Sequence, residues 1–328
     1  MGQGASSAAI GDFFVCDFAG VSPKHDLASM EHPIFSLSTR PDRRILTYRH
    51  NDVDVTVTPS VRGRATIFDA DVLIFCISQL MAALNAGRSV SRTLTLTAHD
   101  LLLATGRETS GDSYRRLRDA FERLAGTRIT TNIVTGETEV TTGFGLIEAW
   151  DILRKTRGGR MVRVQVTLSD WLYQAVLNRS VLTLSRDYFR MRKPLERRIY
   201  ELARKHCGRQ RYWRVSLETL LKKSGSTSPR RVFRAMVREI IREGNLPDYR
   251  LEEEPGDIIR VTRTGDVIET PTLVLAPETL EAARALAPGA DIYALEAEWR
   301  AFAATRPPQA PDKAFLGWVR KRVTGTSD

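Results

Sequence analysis

The stretch Thr97–Leu124, TAHDLLLATGRETSGDSYRRLRDAFERL, and the stretch Ser216–Glu243, SLETLLKKSGSTSPRRVFRAMVREIIRE, follow one plan at a constant offset of 119 residues without a gap. Each reads as a short helix, a small polar loop and a second helix rich in arginine. Leu101 and Leu102 stand opposite Leu220 and Leu221, Gly106 opposite Gly225, Tyr114 opposite Phe233, Leu117 opposite Met236, and Phe121 opposite Ile240. Identity is low while the apolar pattern and the loop length agree, as in a duplicated structural unit whose surface has diverged. A fold for this chain must therefore supply the same surroundings twice, and 328 residues are enough for two or three domains.

The flanking sequence supplies them. Val53–Thr58 alternates like a strand, and Asp69 is placed to cap a helix running to about Leu84, closed by Asn85 and Gly87. Arg92–Thr97 reads as a strand. After the helix pair, the β-branched runs of Arg128–Leu153 around Thr135-Gly136-Glu137 read as a hairpin. Met161–Leu168 is a further strand, and Ser169 or Asp170 caps a helix through about Leu177. In the second copy Pro194 opens a helix with Leu195, Ile199 and Leu202 as its apolar stripe, and Gly208 ends it. Strand Tyr212–Val215 precedes the helix pair, and Asp248–Arg263 follows as a hairpin turning at Pro255-Gly256-Asp257.

Both copies thus run helix, strand, helix, loop, arginine-rich helix, hairpin, which is the order of a winged helix. The expected class is α+β, with two tandem winged-helix domains over 45–178 and 179–265. An extended N-terminal arm over 1–44 carries Pro23, Pro33 and Pro41. A linker and a small helical C-terminal region occupy 266–328, where TPTLVLAPETLEAARALAPG has the Pro and Gly spacing of a linker. Trp299 and Trp318 there either anchor a protein partner or fold back on the DNA-binding core.

A formal charge of +10 suits a polyanion partner, because each phosphate neutralised by Lys or Arg releases counterions. The charge is uneven: Arg186–Arg250 is crowded with basic residues, whereas Leu251–Glu298 is acidic, so the two stretches have different partners or the second has none. On the first arginine-rich helix, Tyr114, Leu117, Phe121 and Leu124 follow core spacing and push Arg115, Arg116 and Arg123 outward. On the second, Phe233, Met236, Val237 and Ile240 hold the core while Arg230, Arg231, Arg234, Arg238 and Arg242 project. Such a helix fits the major groove of double-stranded DNA, with its early residues nearest the bases. Ser113, Arg115, Arg116, Arg230, Arg231 and Arg234 are the leading base-reading candidates. Arg123, Arg238, Lys222, Lys223, Ser110, Ser226, Thr227 and Ser228 complete the DNA-contacting set; Ser110 and Ser228 are also natural helix caps.

Other chemistries lack their residues. Cys16, Cys76 and Cys207 are odd in number and scattered, which fits neither a disulfide framework nor a zinc ribbon and suits a reducing cytoplasm. Val72–Leu84 is too short and too polar to span a bilayer, so no membrane partner is expected. The opening MGQGAS matches a loose myristoylation pattern, but a disordered tail explains it better. No G-x-x-x-x-G-K-[ST] occurs. The five histidines are isolated, and His206-Cys207 are adjacent and point apart. The pairs Asp52/Asp54 and Asp69/Asp71 are the one candidate for metal catalysis of a primase or nuclease kind. The expectation is a chain with no enzymatic activity, no metal and no cofactor.

Three stretches are similar to signature segments of the plasmid replication initiator protein A family: Ala28–Ile45, ASMEHPIFSLSTRPDRRI; Ile67–Arg88, IFDADVLIFCISQLMAALNAGR; and Pro194–Gly208, PLERRIYELARKHCG. The resemblance covers about Asp12 to Arg263 and continues loosely to Leu295–Phe302. It implies an initiator that binds repeated origin sites (iterons) through paired winged helices, helps to melt an adjacent segment and recruits host replication proteins. It also implies a homodimer in one functional state that represses its own gene at an inverted operator. By that similarity the first winged helix serves dimerisation as well as DNA contact, and the second dominates base reading. The runner-up is a dedicated transcriptional regulator of the same fold.

Overall fold

In the computed structural model the described residues are 14–16, 20–50, 53–135, 138–154, 161–208, 210–264, 275, 277–287, 292–303, 308 and 310–324. The MGQGAS opening, Asp52 and the turn at 136–137 lie outside them. The chain divides into two compact units, 1–264 and 265–328.

The larger unit begins with β1 (Phe14–Val15), β2 (Lys24–Asp26), α1 (Leu27–Glu31), β3 (Leu46–His50), β4 (Val53–Thr58) and α2 (Ala70–Asn85). The first repeat follows as β5 (Thr93–Thr97), α3 (Ala98–Ala104) and α4 (Gly111–Gly126). Then come β6 (Arg128–Thr135), β7 (Thr138–Gly145), β8 (Ile147–Arg154), β9 (Met161–Leu168), α5 (Asp170–Leu177) and β10 (Val181–Thr183). A 3-10 turn at Arg186–Arg190 leads into α6 (Pro194–Cys207). The second repeat is β11 (Tyr212–Ser216), α7 (Leu217–Ser224) and α8 (Arg230–Glu243), followed by β12 (Tyr249–Glu254) and β13 (Ile258–Arg263).

The offset of 119 holds in three dimensions: β5, α3 and α4 start that many residues before β11, α7 and α8. Both inter-helix turns pass through a left-handed glycine, Gly106 at φ +64° and Gly225 at φ +69°. A Cβ on Gly225 would also sit 2.6 Å from Cβ of Pro33, so this turn packs against the N-terminal arm where only glycine fits. The sheets match as well. In β11-β13-β12 and in β5-β9-β8 the strand before the helix pair lies beside the last strand of the following hairpin.

One sequence expectation changes here. The hairpin directly after α4 is β6–β7, and it joins β3–β4 in a separate sheet of order β3-β4-β6-β7. The counterpart of β12–β13 is the next pair, β8–β9. Alternation along Arg128–Leu153 is equally strand-like throughout, so it marks strands without naming their neighbours. The chain changes sheets at Leu146, which is fully buried. The arm is also less irregular than its prolines suggest: β2 pairs with β10, and Asp26 caps α1 by accepting from the Ser29 amide at 2.8 Å.

One hydrophobic cluster runs from Phe14 to Val261 and includes Leu101, Phe121, Tyr200 and Phe233. At its middle the Arg197 guanidinium meets Asp71 at 2.6 Å, lies over the rings of Phe68 and Tyr188, and donates to the Met191 and Phe189 carbonyls. Arg107 reaches the other Asp71 oxygen at 3.0 Å. Burial pushes the Asp71 carboxyl up, and the two guanidiniums oppose that shift. This carboxylate links α2, the first repeat's inter-helix loop and α6.

The smaller unit holds α9 (Pro277–Leu286), α10 (Ile292–Ala303) and α11 (Pro311–Thr324). Helix α9 occupies the stretch that reads as a linker, because Pro277 falls at the helix start, where its missing N–H costs nothing. Trp299 is buried against Phe315 in this unit's own core, so that side chain is not an exposed anchor.

Candidate nucleic-acid interface

Helix α8 buries Phe233, Val237 and Ile240 and turns its arginines away from that stripe. They divide into two ridges. Arg230 and Arg234 both bond the same oxygen of Asp257, at 2.6 and 2.5 Å, and Arg238 grips Glu253 with Nε at 2.7 Å and Nη2 at 3.0 Å. These carboxylates belong to the β12–β13 hairpin, so the beginning of the acidic stretch read in the sequence has an internal partner. Arg231 and Arg242 are exposed and have no carboxylate partner among the described residues. With Ala235 between them they follow helical spacing along the outermost face.

The start of α8 is open. Pro229 occupies the cap position and offers no side-chain oxygen, so the first-turn N–H groups of the helix face outward without a cap. Ser228 does not cap α8; its amide donates to Ser226 Oγ at 3.3 Å. Ser226 is half-buried, and Thr227 is exposed and accepts from Arg44 at 3.3 Å. Lys222 is exposed and paired with Glu218 at 3.0 Å. Lys223 differs from the sequence expectation: it is buried and bound to Glu31. Glu31 also takes Lys205 at 2.7 Å and His206 at 3.2 Å. Burial works against its charge, yet the hydrogen bonds from His206, Lys205 and Lys223 hold its carboxyl well below the usual range. Arg198 completes this knot by donating to the carbonyls of Ser29, Met30, Glu31 and Lys223. The knot fixes the arm to α6 and α7.

Helix α4 treats its charges differently. Ser110 caps it, accepting from the Ser113 amide at 3.4 Å. Arg115 and Arg116 are exposed but share Asp112 one turn away, and Arg118 pairs with Glu122 at 3.4 Å. Arg123 is the second departure. Its side chain is only 19% exposed and forms a bidentate pair with Asp69, at 2.7 and 2.8 Å. It braces α4 against the start of α2 instead of projecting.

One family model matches most of the chain. Residues 24–251 match Replication initiator protein A. The chain belongs to that family. A protein of Wigglesworthia glossinidia brevipalpis described as a replication protein is 40% identical over 246 residues, covering 74% of this chain and 89% of that one. Two crystal structures of RctB domains 2 and 3 share the fold. One, of the selenomethionine form, has a TM-score of 0.56 at 14% identity and covers 74% of this chain and 97% of that one. The other has a TM-score of 0.51 at 15% identity and covers 72% and 96%.

In this replication initiator the carboxylates weighed as metal ligands are otherwise engaged. Asp69 sits at the head of α2 without capping it, because its oxygens accept from Arg123 and from the Thr66 amide at 2.8 Å. Asp71 holds two guanidiniums, and Asp54 pairs with Arg49 at 2.7 Å. Among the described residues no group of three or more His, Cys, Asp or Glu could hold a metal ion. His206 stacks on Trp213 and binds Glu31, while burial pushes the Cys207 thiol up to about 11. No helix among the described residues is long and apolar enough to cross a membrane. Sequence reasoning missed Asp257 and Glu253 as partners of the α8 arginines. Their one visible signal was acid at the tip and on one strand of a hairpin that follows a basic helix.

Proposed function

We propose that this initiator binds repeated sites at its plasmid origin through two winged helices. The first, over 45–178, serves DNA contact and dimerisation; the second, over 179–265, dominates base reading. The observation that carries this reading is the outer face of α8, where Arg231 stands beside an uncapped helix start and Arg242 lies on the same face in the last turn, both unpaired among the described residues. Arg in the major groove bonds guanine O6 and N7, and open N–H groups at a helix start suit a phosphate. Ser110, Ser113, Arg115 and Arg116 of the first repeat and Lys222, Ser226, Thr227 and Ser228 of the second contribute backbone contacts. Two such helices on one chain suit successive major grooves, about 34 Å apart.

The protein then acts in the cytoplasm as a DNA-organising factor and not as an enzyme. Without a P-loop, the energy for opening the origin comes from binding, bending and supercoiling. Recruitment of host replication proteins and repression of its own gene by a dimer complete the proposed role. Protection mapping on the DNA flanking its own gene tests it. Tandem direct repeats should be covered; protection of one promoter palindrome alone would make the protein a dedicated regulator instead.

A further inference from the structure

We infer that Asp257 and Glu253 are specificity-determining residues that keep Arg230, Arg234 and Arg238 from gripping DNA phosphates of any sequence. The inference rests on the proposed role of α8 in reading DNA. Arg230, Arg234 and Arg238 recur every four residues and form one ridge of that helix. Their side chains are 50, 31 and 61% exposed, so duplex DNA could reach them, yet each is held by a hairpin carboxylate at 2.5–2.7 Å. The hairpin tip is itself fixed. The Asp257 carbonyl accepts from the Leu217 amide at 2.7 Å, and its backbone adopts φ +58°.

Carboxylate and phosphate compete for the same guanidinium donors. A backbone-only complex must break these pairs to recruit the ridge. A cognate complex uses the neighbouring outer face, Arg231, Ala235 and Arg242, and leaves the pairs in place. Discrimination is a difference of affinities, and it widens when the unwanted complex is penalised. The carboxylates therefore penalise non-cognate DNA more than cognate DNA.

The test measures affinity and salt slope for two duplexes of equal length, one from the DNA flanking the gene and one with that sequence scrambled. Asp257→Asn removes the charge but keeps the shape, and Asn accepts the left-handed backbone. Glu253→Gln is the partner variant. Glu254→Gln is the control, because Glu254 makes the same charge change on the same strand but pairs with Arg214 and Arg260 instead of α8. Asp257→Asn should bind the scrambled duplex roughly 10-fold tighter, with a salt slope steeper by about one to two units for the two arginines released. Affinity for the flanking duplex should rise less than about 3-fold. Equal gains on both duplexes, matching Glu254→Gln, would overturn the inference, and so would a loss on both. A wild-type protein with no preference between the duplexes would instead remove the DNA-reading role of α8, which separates the two failures.

Discussion

Helices α4 and α8 hold equivalent places in the two repeats, and the contrast between them is one of charge management. Helix α4 carries four arginines against three acidic residues, α8 five against two. All four arginines of α4 end on carboxylates of α4 itself or on Asp69. In α8 three reach across to a hairpin, and two remain open to solvent. Helix α4 is closed by Ser110, whereas α8 starts on an uncapped proline. The two helices keep one frame, but α4 turns its charge back onto the fold and α8 leaves two guanidiniums open to solvent.

The largest expected effect tests whether both helices hang on one core. Arg197→Met leaves Asp71 buried with Arg107 alone, a loss of about 3–5 kcal/mol by the usual cost of breaking a buried pair. Thermal unfolding of the larger unit should then shift as one transition. Two transitions, with only one displaced, would show the repeats to be separately stable and the contrast to be between two independent modules.

A smaller effect separates bracing from binding. Arg123→Ala should cost about 1.5–3 kcal/mol, the range for hydrogen bonds to a charged group, and leave the salt slope of DNA binding unchanged. A slope lower by about one unit in that variant would return Arg123 to the DNA contacts.

The smallest effect concerns pH. Burial brings the His32 imidazole down to about 4 from an ordinary 6.5, so the folded arm keeps it neutral. Between those values the unfolded chain binds the extra proton, so stability is full above about 6.5 and falls as pH drops toward 4. His32→Gln should flatten that part of the stability profile, measured by denaturant midpoints at pH 7 and 5. An unchanged slope would mean that the imidazole is not the titrating group. DNA contact by guanidiniums should not change over the same range, because arginine does not titrate there.

The frame was legible in the sequence because its signals are local. Helix and strand starts of both repeats, the glycine turns and the hairpin at Pro255-Gly256-Asp257 follow from spacing and turn chemistry within a few residues. What escaped depends on distant partners. Asp69 lies 54 positions from Arg123 and Glu31 192 positions from Lys223, and no periodicity reports that an arginine or lysine on an apparent outer face will fold onto such a carboxylate. The same limit hid the pairing of β6–β7 with β4 and the clamp of Asp257 on α8. Helix α9 escaped for the opposite reason: Pro277 punctuates the sequence equally well as a linker residue or as a helix start.

The most direct measurement compares two double variants on the same duplex from the DNA flanking the gene, with binding followed across a salt series. Arg231→Ala/Arg242→Ala should weaken binding roughly 100-fold or more with little change in the salt slope, as for base contacts, while Arg115→Ala/Arg116→Ala should cost less than about 10-fold and lower the slope by about two units, as for phosphate contacts. Equal losses from the two helices, or a greater loss from α4, would contradict the assignment of DNA reading to α8.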